Sequence, residues 1–218
     1  MTQYSIEEIE KSLTLPDFDV VAAQLPMVPA PRLRQMVSPS ANTRTGSVLL
    51  LLYQHNGMWY VVLTRRRDDL NAHAGQISFP GGRHEDSETL MMTALRETEE
   101  EIGVAAEDIV VLGELGKIYI PPSDFEVYPF VGVYRKGRPS FRPASDEVAE
   151  ILEVPLAWLL DPAACQVEEW NFGGQLIPIR FFAVGAHKVW GATAIILNEF
   201  LERLRAVKQR SIPGDGPQ

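Results

Sequence analysis

The sequence predicts an α/β fold in which a mixed β-sheet is covered on two faces. Three observations carry that reading. Apolar runs of strand length, separated by turn residues, occupy most of 46–64 and 109–154. An amphipathic stretch of helical spacing interrupts them at about 87–102, and a second closes the pattern from Gly191 to about Val207. Strands, a helix, more strands and a closing helix bury their apolar sides together only as layers around a sheet.

Taken in order, residues 4–13 read as a short helix with Ile6, Ile9 and Leu13 on one face, and Pro26, Pro29 and Pro31 read as an irregular connector. Residues 1–40 are therefore expected to be an N-terminal extension. The domain proper is expected at 41–208. A strand begins at Gly46 and runs through SVLLLLY, whose unbroken apolar character predicts burial on both faces. His55-Asn56-Gly57 is a hairpin turn into MWYVVLT. A loop from Arg65 to Pro80 leads to the amphipathic helix. Strands are expected at 109–120, 127–134 and 147–154, then a short helix from Pro155 to Leu160. Gly173-Gly174 joins a second hairpin, and residues 209–218, rich in Gly and Pro towards their end, are expected to be a disordered tail.

The 218 residues are 45% apolar, and 20 basic against 29 acidic residues give a net charge of −9. That balance excludes an extended nucleic-acid footprint. No apolar run approaches the ~18 residues of a membrane span, and MTQYSIEEIEKSL lacks a signal-peptide pattern. The single cysteine, Cys165, can form no internal disulfide and reads as a small buried hydrophobe. A cytoplasmic location follows as the expectation.

The richest chemistry lies in Gly82–Val104, GRHEDSETLMMTALRETEEEIGV. On a helix, Glu97 and Glu101 are one turn apart with Glu100 beside them, so three carboxylates share a sector roughly 100° wide. Arg96 is one turn before Glu100, within ion-pair reach. Met91, Ala94, Leu95, Thr98 and Ile102 form the adjacent packed sector. An acidic run is by default a solvated face, but these flanks are specific. Gly81-Gly82 permits close backbone approach, Asp86 or Ser87 can cap the helix, and Gly103 can stop it. Three like charges on one face call for compensation, and a hard divalent cation with a phosphate substrate supplies it.

The 23-residue pattern G-x5-E-x7-R-E-U-x-E-E-x-G-U resembles the box of the Nudix hydrolases, with Thr98 the one departure, at a position that normally carries an aliphatic residue. The resemblance implies an α/β/α sandwich and hydrolysis of a nucleoside diphosphate linked to another group. It implies Mg²⁺ or Mn²⁺ held by Glu97, Glu100, Glu101 and the Gly81 carbonyl, with Arg96 orienting a carboxylate and Glu88 supporting it. The base stays open among Glu100, Glu147 and Glu150. Alternation along a strand could bring Glu147 to the site mouth, although strand-edge charge is the plainer reading.

Upstream, Val62–Gly82 resembles the additional motif of coenzyme A diphosphatases, L-L-T-x-R-(S/A)-x3-R-x3-G-x3-F-P-G-G. Leu63, Thr64, Arg66, Gly75 and Phe79-Pro80-Gly81-Gly82 match in register, while Val62, Arg67 and Asn71 depart. The resemblance extends over most of 45–205. It marks Arg65, Arg66, Arg67, Asn71, Gly81 and Gly82 as candidate substrate contacts and a coenzyme A-like nucleotide as the substrate. Asn71 standing where the motif has Arg bears on the substrate's 3′-phosphate, with Arg65 or Arg67 able to compensate. Phe125, Tyr119 and Tyr128 are equal candidates for stacking on adenine. His73 reads as loop packing and Trp190 as packing at a helix start. A homodimer is expected from family habit, with the N-terminal extension as a candidate contact.

Overall fold

The computed structural model describes residues 4–30, 38–69 and 75–211. Helix α1 (Ile6–Leu13) starts with a capping box, in which the Glu8 N–H donates to the Ser5 hydroxyl and the Ser5 N–H to the Glu8 carboxylate. A second helix, α2 (Val20–Gln24), capped by Asp19, and a 3-10 turn at Leu25–Met27 stand where the prolines predict irregular chain. Both pieces are too short to show a period in the sequence.

β1 (Arg44–His55) and β2 (Met58–Arg66) pair about Asn56-Gly57, whose φ angles of 50° and 75° are those of a two-residue turn matched to strand twist. Next come β3 (Ile77–Ser78), β4 (Gly81–Arg83), α3 (Leu90–Ile102), β5 (Ile109–Glu114), β6 (Ile118–Ile120), β7 (Phe125–Tyr134), β8 (Val148–Pro155) and α4 (Leu156–Leu160). β9 (Cys165–Phe172), β10 (Gln175–Val184) and β11 (His187–Val189) form a separate three-stranded sheet before α5 (Gly191–Ser211).

β1 is the pivot of the main, eight-stranded sheet. It runs parallel to β7 and antiparallel to β2 and β4. β5 and β6 pair with β7, while β3 and β8 pair with β2. The sheet is therefore mixed. Leu49, Leu50, Leu51 and Leu52 are all fully buried, as a strand covered on both faces requires. By alternation, Leu49, Leu51 and Tyr53 pack with Ala94 and Ile102 of α3. Leu50 and Leu52 belong to the larger cluster with Leu197, Phe200, Leu201 and Leu204 of α5. The result is the expected α/β/α sandwich.

Several expectations need correction. The 109–120 strand is two strands, broken by a turn at Leu115–Lys117. β11, three residues long, escapes periodicity altogether. The described part of the N-terminal extension is built into the same core. Ile9 is fully buried, and the Trp59 indole N–H donates to the Tyr4 carbonyl at 2.7 Å. Helix α5 continues through Ser211, so residues 209–211 are helical rather than tail, and 212–218 lie outside the described residues.

Candidate active site

Helix α3 begins three residues later than expected. Thr89, not Asp86 or Ser87, is its N-cap, accepting from the Met92 N–H, and Gly103 ends it at φ 69°. Met91, expected on the packed side, is exposed together with Met92, and the packed side is Thr93, Ala94, Thr98, Glu101 and Ile102. Thr98 fits the aliphatic position because its hydroxyl donates back to the Ala94 carbonyl at 2.7 Å and leaves no buried group unpaired.

The helical register delivers the predicted carboxylates to one side, and Arg96 organises them. Its Nε and Nη2 donate to the two oxygens of Glu88 at 3.1 and 2.9 Å. Its Nη1 donates to Glu97 at 3.0 Å and to Glu100 at 3.1 Å, and Nη2 also reaches the Arg83 carbonyl at 3.3 Å. This guanidinium hydrogen bond is the main cause that holds the Glu88 carboxyl down at about 2, while Thr93 donates to the same group at 2.8 Å. Thr93, fully buried and also in contact with the His84 ring at 3.0 Å, is a supporting residue that sequence reading missed.

Strand β4 forms the floor. Gly81 lies opposite Val48, and the Leu49 N–H bond to the Pro80 carbonyl at 2.9 Å makes this a pair whose own N–H and C=O point away from β1. The Gly81 backbone accordingly faces Glu101 and lowers its carboxyl. A Cβ on Gly81 would meet the Ser47 carbonyl at 2.3 Å, and one on Gly82 would meet the Glu97 carboxylate at 2.3 Å. Both glycines are thus required by close approach, as their sequence context predicts.

Glu101 is the least comfortable group in the site. It is 8% exposed, and its Oε2 is buried without a hydrogen-bond partner among the described residues. Burial first, then the charges of Glu97 and Glu147, push its carboxyl up to about 8. Burial, assisted by Glu100 and Glu147, also raises Glu97. Among the described residues no three Asp, Glu, His or Cys side chains converge as a ready-made metal cluster. Arg96 instead draws Glu97 and Glu100 together. The donor set nevertheless fits a divalent cation, since it offers hard anionic oxygens, an orphaned buried one among them, with charge left uncompensated.

The three consecutive arginines separate. The strand pleat sends Arg66 to the α3 face, where its Nη1 lies 3.3 Å from Glu147 and its charge lowers the Glu101 carboxyl. Its Nε is buried without a partner among the described residues. Arg65 instead pairs with Asp68 at 2.9 Å and with Glu150 at 3.6 Å, and Glu150 also holds His187 at 3.1 Å. Arg67 folds onto Asp69 at 2.6 Å and the Ser145 carbonyl. Glu147 sits in the turn before β8, beside the α3 carboxylates and not simply on a strand edge. Asn71 and His73 lie outside the described residues. Trp190 packs edge-on against Trp170 with centroids 5.0 Å apart, just ahead of α5.

These groups meet at a strand–loop–helix junction, the candidate site of a hydrolase of pyrophosphate bonds. The NUDIX domain model matches residues 43–171, more than half of the chain, and the chain belongs to the Nudix hydrolases. It is 38% identical over 195 residues to Nudix hydrolase 3 of Caenorhabditis elegans, covering 83% of this chain and 81% of the relative. It is 32% identical over 194 residues to the Nudix hydrolase NudL of Photorhabdus laumondii, covering 88% and 99%. The human mitochondrial coenzyme A diphosphatase NUDT8 is 35% identical over 167 residues, covering 75% of this chain and 71% of its own length. The MutT protein of Methanosarcina mazei Go1 superposes with a TM-score of 0.50 at 19% identity, over 78% of this chain and 99% of that one, which shows the fold alone. No helix among the described residues is long and apolar enough to cross a membrane.

Proposed function

We propose that the protein hydrolyses the pyrophosphate bond of coenzyme A or an acyl-coenzyme A, releasing 3′,5′-ADP and 4′-phosphopantetheine or its acyl form. The observation that carries this reading is Arg66. It belongs to the matched upstream motif, and its guanidinium lies 3.3 Å from Glu147 on the α3 face, where its charge lowers the Glu101 carboxyl. The 35% identity to a coenzyme A diphosphatase supports the same substrate.

In this reading Glu97, Glu100, Glu101 and the Gly81 carbonyl hold Mg²⁺ or Mn²⁺. A bound divalent cation offsets the charge of the pyrophosphate and acidifies water. Arg96 keeps the Glu97 and Glu100 carboxylates in register, with Glu88 fixing the guanidinium from behind. Arg66, whose side chain is 38% exposed, contacts a phosphate oxygen. Glu147 takes the proton from the attacking water, because it is half-exposed and adjacent to the buried carboxylates. Glu150 is set aside as base because it shares the face of Leu152 and Val154, opposite α3, where it pairs with Arg65 and His187. Arg65, Arg67 and Gly82 support the loop and floor rather than touch substrate, a homodimer is the assembly, and the domain spans 41–208 with the N-terminal helices docked on it.

The test is a substrate panel with product identification: coenzyme A, an acyl-coenzyme A, dephospho-coenzyme A, ADP-ribose and NADH, each with Mg²⁺ and with Mn²⁺. Formation of 3′,5′-ADP at the highest kcat/KM is the expected result. Brisk cleavage of ADP-ribose with none of coenzyme A would overturn the substrate and leave the family intact.

A further inference from the structure

One row of residues crosses four adjacent strands on the α3 face of the sheet. Gly82 of β4 is paired with Ser47 of β1, and Ser47 with Tyr128 of β7. One residue beyond the Ile118–Val127 pair, Lys117 comes across from Tyr128. Ile118 and Val127 both belong to the α5-side core, so alternation turns Lys117 and Tyr128 to the catalytic side. The row thus starts at the glycine beneath Glu97 and ends at an ammonium group. Tyr128 stands two strand spacings from Gly82, roughly 10 Å, and Lys117 one spacing further.

The group at the end of the row is held in place from behind. Lys117 Nζ lies 2.8 Å from Glu126 and 5.6 Å from the centre of the Tyr128 ring, while the Tyr128 hydroxyl donates to the other Glu126 oxygen at 2.8 Å. Its side chain is 58% exposed, leaving N–H directions open to a ligand. The preceding residue, Gly116, is clamped. Its N–H donates to both oxygens of Glu199, at 3.0 and 3.1 Å, and its carbonyl accepts from Gln24 at 3.3 Å. Glu199 is fully buried and paired with Arg203 at 2.9 Å. A Cβ on Gly116 would meet Val20 at 2.4 Å. Burying a carboxylate is costly, and this one holds the Gly116 N–H beside Lys117 together with the Gln24 amide and Arg203. Nearer the α3 carboxylates, Arg66 lies beside Glu147 and serves the pyrophosphate in the proposed site, and Arg96 is held by Glu88, Glu97 and Glu100.

We propose that Lys117, carried on the Glu199-clamped turn and backed by the Tyr128 ring, is a specificity-determining residue that binds the ribose phosphate of the substrate's nucleotide half. The assignment rests on the coenzyme A-like substrate proposed above. In such a molecule the pantetheine half carries no further charge, so the anionic group remote from the pyrophosphate is the 3′-phosphate. A compact ammonium with free donors suits a phosphate monoester. Of the three aromatics that the sequence leaves equal, Phe125 faces the opposite side beneath Arg44, while Tyr128 shares the row of Gly82 and Ser47 and Tyr119, paired with Glu126, stands two residues along the strand from it.

The experiment compares kcat and KM for coenzyme A and dephospho-coenzyme A in wild-type protein, Lys117→Met and Lys117→Arg at one ionic strength. Lys117→Met should lower kcat/KM for coenzyme A roughly tenfold more than for dephospho-coenzyme A, chiefly through KM, as losing one half-exposed charged hydrogen bond predicts. Lys117→Arg keeps the charge and should retain most of the selectivity. An equal fall on both substrates, no fall on either, or an Arg variant that behaves like the Met variant would each overturn the assignment. Wild-type protein that cleaves neither substrate would refute the proposed function itself, an outcome distinct from an unchanged ratio in a protein that cleaves both.

Discussion

Glu101 and Arg96 show how one turn of helix sets the chemistry of this site. Burial and the charges of Glu97 and Glu147 raise the Glu101 carboxyl, against the lowering by Arg66 and the Gly81 backbone. Replacing Glu101 with Gln keeps the shape and removes a hard anionic donor. Turnover of Glu101→Gln should fall by orders of magnitude while the far-ultraviolet circular dichroism stays native, and undiminished turnover, or full activity in excess chelator, would exclude the role. Arg96 works through its planar fork, which spans Glu88, Glu97 and Glu100 at once. Lys keeps the charge but not the fork, so Arg96→Lys should lower kcat with little change in KM. A rise in KM alone would make it a substrate contact. The same guanidinium sets a pH dependence of stability. The Glu88 carboxyl titrates near 4.5 when unfolded and about 2 when folded, so its contribution is present above the former and is lost as pH falls through the latter. The gap in melting temperature between wild type and Glu88→Gln should therefore be full at neutral pH and close between about pH 4.5 and 2. A gap that is constant across that window would show that Glu88 acts by packing.

At the level of elements, the junction of β4 with α3 is where fold and chemistry meet. The two glycines there make opposite predictions under the same substitution. A methyl on Gly81, held at φ 155°, runs into the Ser47 carbonyl and the Val48 Cα of the central strand, which cannot yield. Gly81→Ala should be expressed poorly or melt many degrees lower. A methyl on Gly82 meets only the tip of the Glu97 side chain, which can swing aside. Gly82→Ala should therefore melt close to wild type yet lose much of its activity, because the carboxylate it displaces is a metal ligand in the proposed site. Differential scanning fluorimetry beside a turnover assay separates the two, and a Gly82→Ala protein that is active as well as stable would show that Glu97 does not need its observed position.

Across the whole molecule, the buried Glu199–Arg203 pair ties α5 to the N-terminal segment and to the β5–β6 turn. Arg203 also donates to the carbonyls of Ser12 and Leu13 at 3.4 and 3.3 Å and lies 4.4 Å above the Phe18 ring. Removing the carboxylate leaves a cation buried without its partner, which costs about 3–5 kcal/mol. Glu199→Ala should shift the denaturation midpoint accordingly, and a shift smaller than about 1 kcal/mol would mean that the pair is dispensable. That network also marks the boundary of what the sequence could tell. The placing of Glu97, Glu100 and Glu101 on one side of a helix, the Gly103 stop, the Asn56-Gly57 hairpin and the doubly buried first strand were all legible. Each depends on residues within a turn or two of one another, where helical period, pleat and positive φ leave few alternatives. The division of Arg65, Arg66 and Arg67 between two faces, the arrival of Glu147 beside Glu101, the docking of α1 and α2 on α5 and the burial of Glu199 were decided only by the tertiary structure. They depend on strand pairing and on which distant surface excludes water, quantities to which near neighbours in the chain contribute little.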